Sequence, residues 1–256
     1  MATKTKAWNT GGGYITLTYT GQSNGTISVS SSENSSSEPR SQTISIETTA
    51  GSPQKKVSVT IKQAGKKDSL DNYTTVSYIE SNGSQYIDTG VIGKSGISID
   101  IDVAVIVNPN DVCLVGSRSG NNRFFLLHYA SGWSYGYINF YRTSATLHSY
   151  GRRYSIQSSL DTGSQTMIVD GTNVANGTVS TSVNTGYNLY VCACNYGGSA
   201  VYHSGIRIYS LKIYDKGIML RNYIPVKRKS DGVYGLWDNV NSKFYPSNSS
   251  SNFSGA

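Results

Sequence analysis

The chain has 256 residues, 37% of them hydrophobic and 14% charged, and carries a net charge of +7. No run approaches the roughly 18 apolar residues of a membrane span, and the surplus charge is diffuse: residues 1–69 hold 8 Lys and Arg against 4 Asp and Glu, residues 70–256 hold 14 against 11. Nucleic-acid proteins concentrate their charge on one face or arm, so neither a membrane nor a nucleic acid is expected as partner.

Twenty tyrosines and frequent Thr and Val suit pleated, half-buried surfaces. The absence of a sustained 3.6-residue apolar period leaves helix a minor component. The opening "MATKTKAWNTGGGYITLTYT" has no apolar core, lipobox cysteine or cleavage site, so synthesis in the cytoplasm without a signal peptide is expected. "GYITLTYT" and "GTISVSS" alternate as half-buried strands, and "SSSENSSSEPR" at 30–40 is a polar loop. "SQTISIETT" and "KKVSVTIKQAG" supply two more strands, with Ile44 and Ile46 on one face and Val57, Val59 and Ile61 on another. Short strands separated by turn clusters predict a small β-sandwich over 1–66.

This first unit resembles the BACON family, immunoglobulin-like modules found beside glycan-active domains in gut Bacteroidetes and their phages. The match rests on Gly25-Thr26-Ile27-Ser28-Val29, on Arg40–Ile46 and above all on the closing Val57–Lys66. It implies a spacer, docking or carbohydrate-binding role.

Residues 67–75 are polar and read as a linker; the second unit is expected over 76–256. "YIESNGSQYIDTG", Tyr78–Gly90, reads as an early sandwich strand lying near the closing segment, with a bulge at Ser77–Ile79. "GISIDIDVAVIV" alternates cleanly: Ile97, Ile99, Ile101, Val103 and Val105 face one way, Ser98, Asp100 and Asp102 the other. Seven further strand-like runs follow, including "SYGYINFY", "NLYVCACNY" and "SGIRIYSLKIYD", and Asp170-Gly171 signals a hairpin turn. Together they predict two packed antiparallel sheets. The segments Ser77–Val91 and Gly205–Gly255, the latter with "GVYGLWD", resemble the concanavalin A-like lectin/glucanase superfamily, the laminin-G-like jelly rolls. The fold class is therefore all-β, an Ig-like sandwich followed by a jelly roll.

The residues do not point to catalysis. Glycosidases of that superfamily carry a Glu-x-Asp-x-x-Glu strand, and the chemistry needs two carboxylates of different pKa. Only Glu80 of the four glutamates lies in the second unit, and Asp100 and Asp102 read as solvent-facing. Three cysteines make no disulfide framework; Cys192 and Cys194, two apart on one strand, should share a face as buried free thiols. With His128, His148 and His203 scattered, no zinc site is expected. The resemblance implies calcium as the only alternative to no cofactor. Asn108, Asn110 and Asp111 offer oxygens for it, although the same residues make an ordinary turn. Lys227-Arg228-Lys229 reads as a solvated turn.

What remains is binding. The run 122–142 is dense in aromatics, which stack on sugar rings and anchor interfaces. Within it Trp133 and Tyr135, flanked by glycines, with Tyr137 and Tyr141, are the expected glycan or partner contacts. The two resemblances together imply a non-enzymatic structural protein of a tailed phage of gut Bacteroidales. It would be an auxiliary or decorating protein on the virion surface, partnered by capsid proteins and by bacterial or mucosal glycans. The alternatives are a bacterial surface glycan-binding module and a tail fibre.

Overall fold

The computed structural model describes residues 5–9, 15–20, 26–36, 39–48, 56–66, 68–107, 112–129, 132–137, 140–147, 149–161, 164–178 and 181–256. Of these, the side chains of 5–27, 46–48, 112, 128–129, 137 and 140–147 are left aside. The chain divides into two compact units, Met1–Asp68 and Ser69–Ala256. Every named element is a strand except one 3-10 turn, Leu70–Asn72, so the all-β expectation holds.

In the first unit the strands are β1 (Thr5–Asn9), β2 (Ile15–Thr20), β3 (Thr26–Ser31), β4 (Arg40–Thr48) and β5 (Lys56–Gln63). They form a three-stranded sheet, β1-β4-β5, and a β2-β3 pair. Ile44 on central β4 is 1% exposed, whereas Val57 and Val59 on β5 are 54% and 43% exposed. The apolar face expected of β5 is thus not a core face at Val57 and Val59. The loop after β3 is tied to the chain following β5. Buried Asn34 donates to Ala64 O at 3.1 Å, the Lys66 N–H donates to Ser36 O at 2.7 Å, and Arg40 Nε donates to Gln63 Oε1 at 2.9 Å.

The second unit begins with β6 (Tyr73–Thr75), β7 (Ile79–Glu80), β8 (Ile87–Lys94), β9 (Ile97–Val105), β10 (Val112–Ser119), β11 (Asn122–Tyr129) and β12 (Gly132–Tyr137). It continues with β13 (Phe140–Leu147), β14 (Arg153–Asp161), β15 (Ser164–Val169), β16 (Thr172–Gly177), β17 (Asn184–Val191), β18 (Cys194–Tyr196) and β19 (Ser199–Val201). It closes with β20 (Ile206–Asp215), β21 (Ile218–Arg228), β22 (Tyr234–Asp238), β23 (Lys243–Tyr245) and β24 (Ser254–Gly255). One sheet runs β13-β12-β11-β10-β17-β8, with β18 and β19 joined to β10; the other runs β16-β15-β14-β9-β20-β21-β22-β23, with β6, β7 and β24 alongside.

Alternation explains how the sheets meet. Ile97, Ile99, Ile101, Val103 and Val105 are all at most 1% exposed, while Ser98, Asp100 and Asp102 lie half-buried on the outer face. On β20 the inward positions are Ile206 and Ile208, then Leu211 and Ile213; a register shift against β9 between Ile208 and Ser210 changes the phase. These residues join Leu114, Phe124, Leu126, Leu189 and Val191 of the facing sheet in one core. Each such side chain contributes about 1.5–3 kcal/mol by leaving water.

Two connections differ from the sequence reading. Residues 69–75 are not all linker: β6 pairs with β21 (Val226↔Thr75, Lys227↔Thr74), and Tyr73 is buried against Trp237 and Phe244 at centroid distances of 5.1 and 4.8 Å. Nor does a bulged strand run through Ser77–Ile79. β7 is a separate two-residue strand pairing with β20 and with the closing β24 (Glu80↔Ser254), so "YIESNGSQYIDTG" does lie beside the C-terminal segment.

Candidate functional site

Two of the four aromatic residues expected at the surface are core residues. Trp133 and Tyr135 are both 0% exposed. β12 is covered on both edges, by β11 and β13, and its inward positions enter the sandwich core, where the Trp133 ring meets Tyr154 edge-on at 5.2 Å. Gly136 is no flexible flank: a Cβ there would sit 2.2 Å from the Phe125 ring, so its lack of a side chain makes room for that ring. Tyr137 pairs with Phe140, and Tyr141 with Gly136, but their side chains lie outside the described part. The calcium candidates Asn108, Asn110 and Asp111 lie outside the described residues too. Among those described, no group of three or more His, Cys, Asp or Glu is placed to hold a metal.

The cysteines correct a second expectation. All three are free and buried. However, "NLYVCACNY" is not one strand: Cys192 turns at φ 65° between β17 and β18. Cys192 therefore packs in the main core, while Cys194 joins Cys113, Phe125 and Leu127 on the far side of the sheet. Burial raises the thiol pKa of Cys113 and Cys192 above the ordinary value.

Open concave ground lies instead along β8, the edge strand of its sheet, where β21 and β23 of the other sheet come alongside. Asp88, Asn188 and Asn248 line one part of a cleft of about 460 Å³; Lys243, Phe244, Tyr245 and Pro246 line the rest, with Gly90 and Arg221 at its end. The polar wall is held by its own bonds. The Asp88 N–H donates to Asn248 Oδ1 at 2.8 Å. Asp88 Oδ1 accepts from the Gly90 N–H at 2.8 Å, and Asp88 Oδ2 from Asn188 Nδ2 at 3.3 Å. Tyr86, whose carbonyl accepts from the Asn248 N–H, stacks on Tyr190 at 4.8 Å, and burial together with Asp88 and Tyr86 raises the Tyr190 phenol pKa.

A second cleft, about 420 Å³, abuts the first at Gly90 and Arg221 and continues past Ile92, Lys94, Asn184 and Asp215. Arg221 forms the saddle between them. Its Nε donates to Thr89 O at 3.0 Å and its Nη1 to Leu220 O at 2.8 Å, while Asp238 Oδ2 lies 3.6 Å from Nε. Gly90, at φ 67°, lets this side chain cross: a Cβ there would stand 3.3 Å from Nη2. Asp238, the last residue of "GVYGLWD", is fully buried. It accepts from the Asn222 and Val240 N–H groups at 2.9 and 3.0 Å and from Asn241 Nδ2 at 2.6 Å, so this buried charge is well satisfied.

Several charges elsewhere are paired locally. Glu80 accepts from Arg207 Nε at 2.6 Å, and Asp102 pairs with Arg153, whose guanidinium lies 4.4 Å from the Tyr209 ring centroid. Asp100 is held by Tyr214, its carboxyl pKa raised chiefly by burial. In the basic run, Arg228 chelates Asp231 at 2.7–3.1 Å, Lys229 donates to Asp71 O at 2.8 Å and Lys227 sits 5.1 Å over Tyr234. The segment is therefore not a solvated turn throughout: Lys227 and Arg228 are half-buried residues at the end of β21, paired with β6, and only Lys229 lies in the exposed turn that follows.

No family model matches the chain, and no curated protein does. Among solved structures, a candidate carbohydrate-binding protein from Bacteroides ovatus is similar with a TM-score of 0.52 at 9% identity, over 86% of this chain and 69% of that one. A CBM40 of the Ruminococcus gnavus IT-sialidase, bound to α2,3-sialyllactose, is similar at TM-score 0.44 and 14% identity over 56% of this chain and 89% of that one. A Streptococcus pneumoniae NanB sialidase variant follows at 0.43 and 16%, over 58% of this chain and 26% of that one. At such identities the first likeness is one of fold.

Proposed function

We propose that the chain is a non-catalytic glycan-binding protein whose C-terminal sandwich takes a saccharide in the cleft beside β8. The observation that carries this reading is the pairing, in one open cleft, of a polar wall (Asp88, Asn188 and Asn248) with half-buried Tyr245 and exposed Pro246. Sugars offer hydroxyls that need fixed donors and acceptors, and C–H faces that lie against rings. Sites of this size are built from an apolar surface and a few convergent polar groups. The fold likeness to a candidate carbohydrate-binding protein of Bacteroides ovatus supports the same reading. The assignment to a phage particle rests on sequence resemblance alone, and the cleft favours glycan binding over it.

The test is affinity electrophoresis of the whole chain in a panel of plant, bacterial and mucosal polysaccharides, with a reducing-sugar assay beside it. At least one polysaccharide should retard the protein without release of reducing ends. Asn188→Ala combined with Lys243→Ala should weaken that binding about tenfold, or about 1.4 kcal/mol, with an unchanged melting temperature. Retardation that the double variant leaves intact would move the site elsewhere, and sugar release would make the protein an enzyme.

A further inference from the structure

Resting on that glycan-binding reading, we infer that the ligand is an uncharged polysaccharide bound along its chain, across two subsites that meet at Arg221, rather than an acidic or terminal sugar.

Two observations carry this. The first is the layout. The clefts lie end to end along β8, the first beside Asp88 and Gly90, the second beside Gly90, Ile92 and Lys94. At about 3.3 Å per residue, β8 spans roughly 25 Å, longer than one sugar ring needs. Both clefts are open, and Arg221, where they meet, is held low by hydrogen bonds to Thr89 O and Leu220 O, with a side chain only 18% exposed. A chain can cross such a saddle; a pocket for a terminal residue would close behind it.

The second is charge. A cleft that selects acidic sugars presents cations without counter-charges. Here Lys94, Arg221 and Lys243 are matched by Asp88, Asp215 and Asp238. Lys94 Nζ is 2.7 Å from Asp215, and Arg221 faces buried Asp238. Asp88 and Lys243, of opposite sign, line the same cleft. The protein's net charge of +7 is therefore not expressed there. An incoming carboxylate or sulfate would meet the carboxylate of Asp88, whereas neutral hydroxyls can donate to its oxygens and pair with the side-chain amides of Asn188 and Asn184.

The experiment is calorimetric titration of the whole chain with neutral glycans (β-glucans, glucomannan, arabinoxylan) and acidic ones (polygalacturonate, hyaluronan, sialyllactose). Each is run at low and high salt, followed by oligosaccharides of increasing length from the best neutral binder. Lys243→Ala probes the first cleft and Ile92→Ala, an exposed position, the second; their melting temperatures report folding. Neutral glycans should bind with little salt dependence, and affinity should rise at least about tenfold from disaccharide to hexasaccharide as the linked subsites fill together. Each variant should cut hexasaccharide affinity severalfold, and only one should affect the disaccharide. Preference for acidic glycans with loss in salt, no gain beyond the disaccharide, or indifference to Ile92→Ala would overturn the inference while leaving glycan binding in place. Silence across the whole panel would instead remove the glycan-binding reading itself, and the inference with it.

Discussion

At the scale of single residues, the same side chain means different things on the two faces of a strand. Trp133 is the sharpest case. Its glycine neighbours and dense aromatic company resemble a sugar platform, yet it is fully buried and packed on Tyr154. Trp133→Ala should therefore act on folding and not on ligand, lowering unfolding free energy by about 3–5 kcal/mol through the cavity it leaves. Chemical denaturation checks this; a loss under about 1 kcal/mol accompanied by lost glycan binding would restore the surface reading. Lys243, Asn188 and Asp88 carry no comparable sequence signal. They lie on three strands whose ends converge only in the folded unit, so they look like any polar strand residue until then.

At the scale of elements, long alternating strands were legible and short or broken ones were not. "GISIDIDVAVIV" reads correctly because five consecutive inward positions are apolar and every outward one before Ala104 is polar. The hairpin at Asp170-Gly171 is equally clear, and both residues adopt positive φ, 49° and 79°. β6 escaped notice: three residues in a polar stretch have no period to detect, and their strand character comes from pairing with β21. Tyr73 anchors it between Trp237 and Phe244. Tyr73→Ala should cost about 3 kcal/mol, within the range for aromatic truncation in cores, while Leu70→Ala, at an exposed position, should stay within about 0.5 kcal/mol. Equal effects in urea titrations would mean that 69–75 is linker after all.

At the scale of the whole molecule, the buried thiols tie stability to pH. Burial raises the folded pKa of Cys113 and Cys192, and likewise that of the Tyr223 phenol. An acid group with a raised folded pKa keeps its proton in the folded state while the unfolded chain releases it. The contribution is thus complete below the unfolded thiol pKa of about 8.5 and is lost as pH rises. Unfolding free energy should hold steady from about pH 7 to 8 and then fall by up to about 1.4 kcal/mol per pH unit for each thiol, with Tyr223 joining near pH 10. Urea midpoints measured across that window, for the native chain and for Cys113→Ala with Cys192→Ala, decide it; a native profile flat to pH 10 would contradict the burial argument. The sequence by itself determined the fold class, most strand positions and the burial of the cysteines, because alternation and turn chemistry are local properties. It could not decide which apolar faces meet, that Cys192 and Cys194 part to opposite sides of a sheet, or where the cleft lies. Those depend on register and on strands far apart in the chain, Asp88 and Asn248 among them, and such pairings exist only once the two sheets have closed on each other.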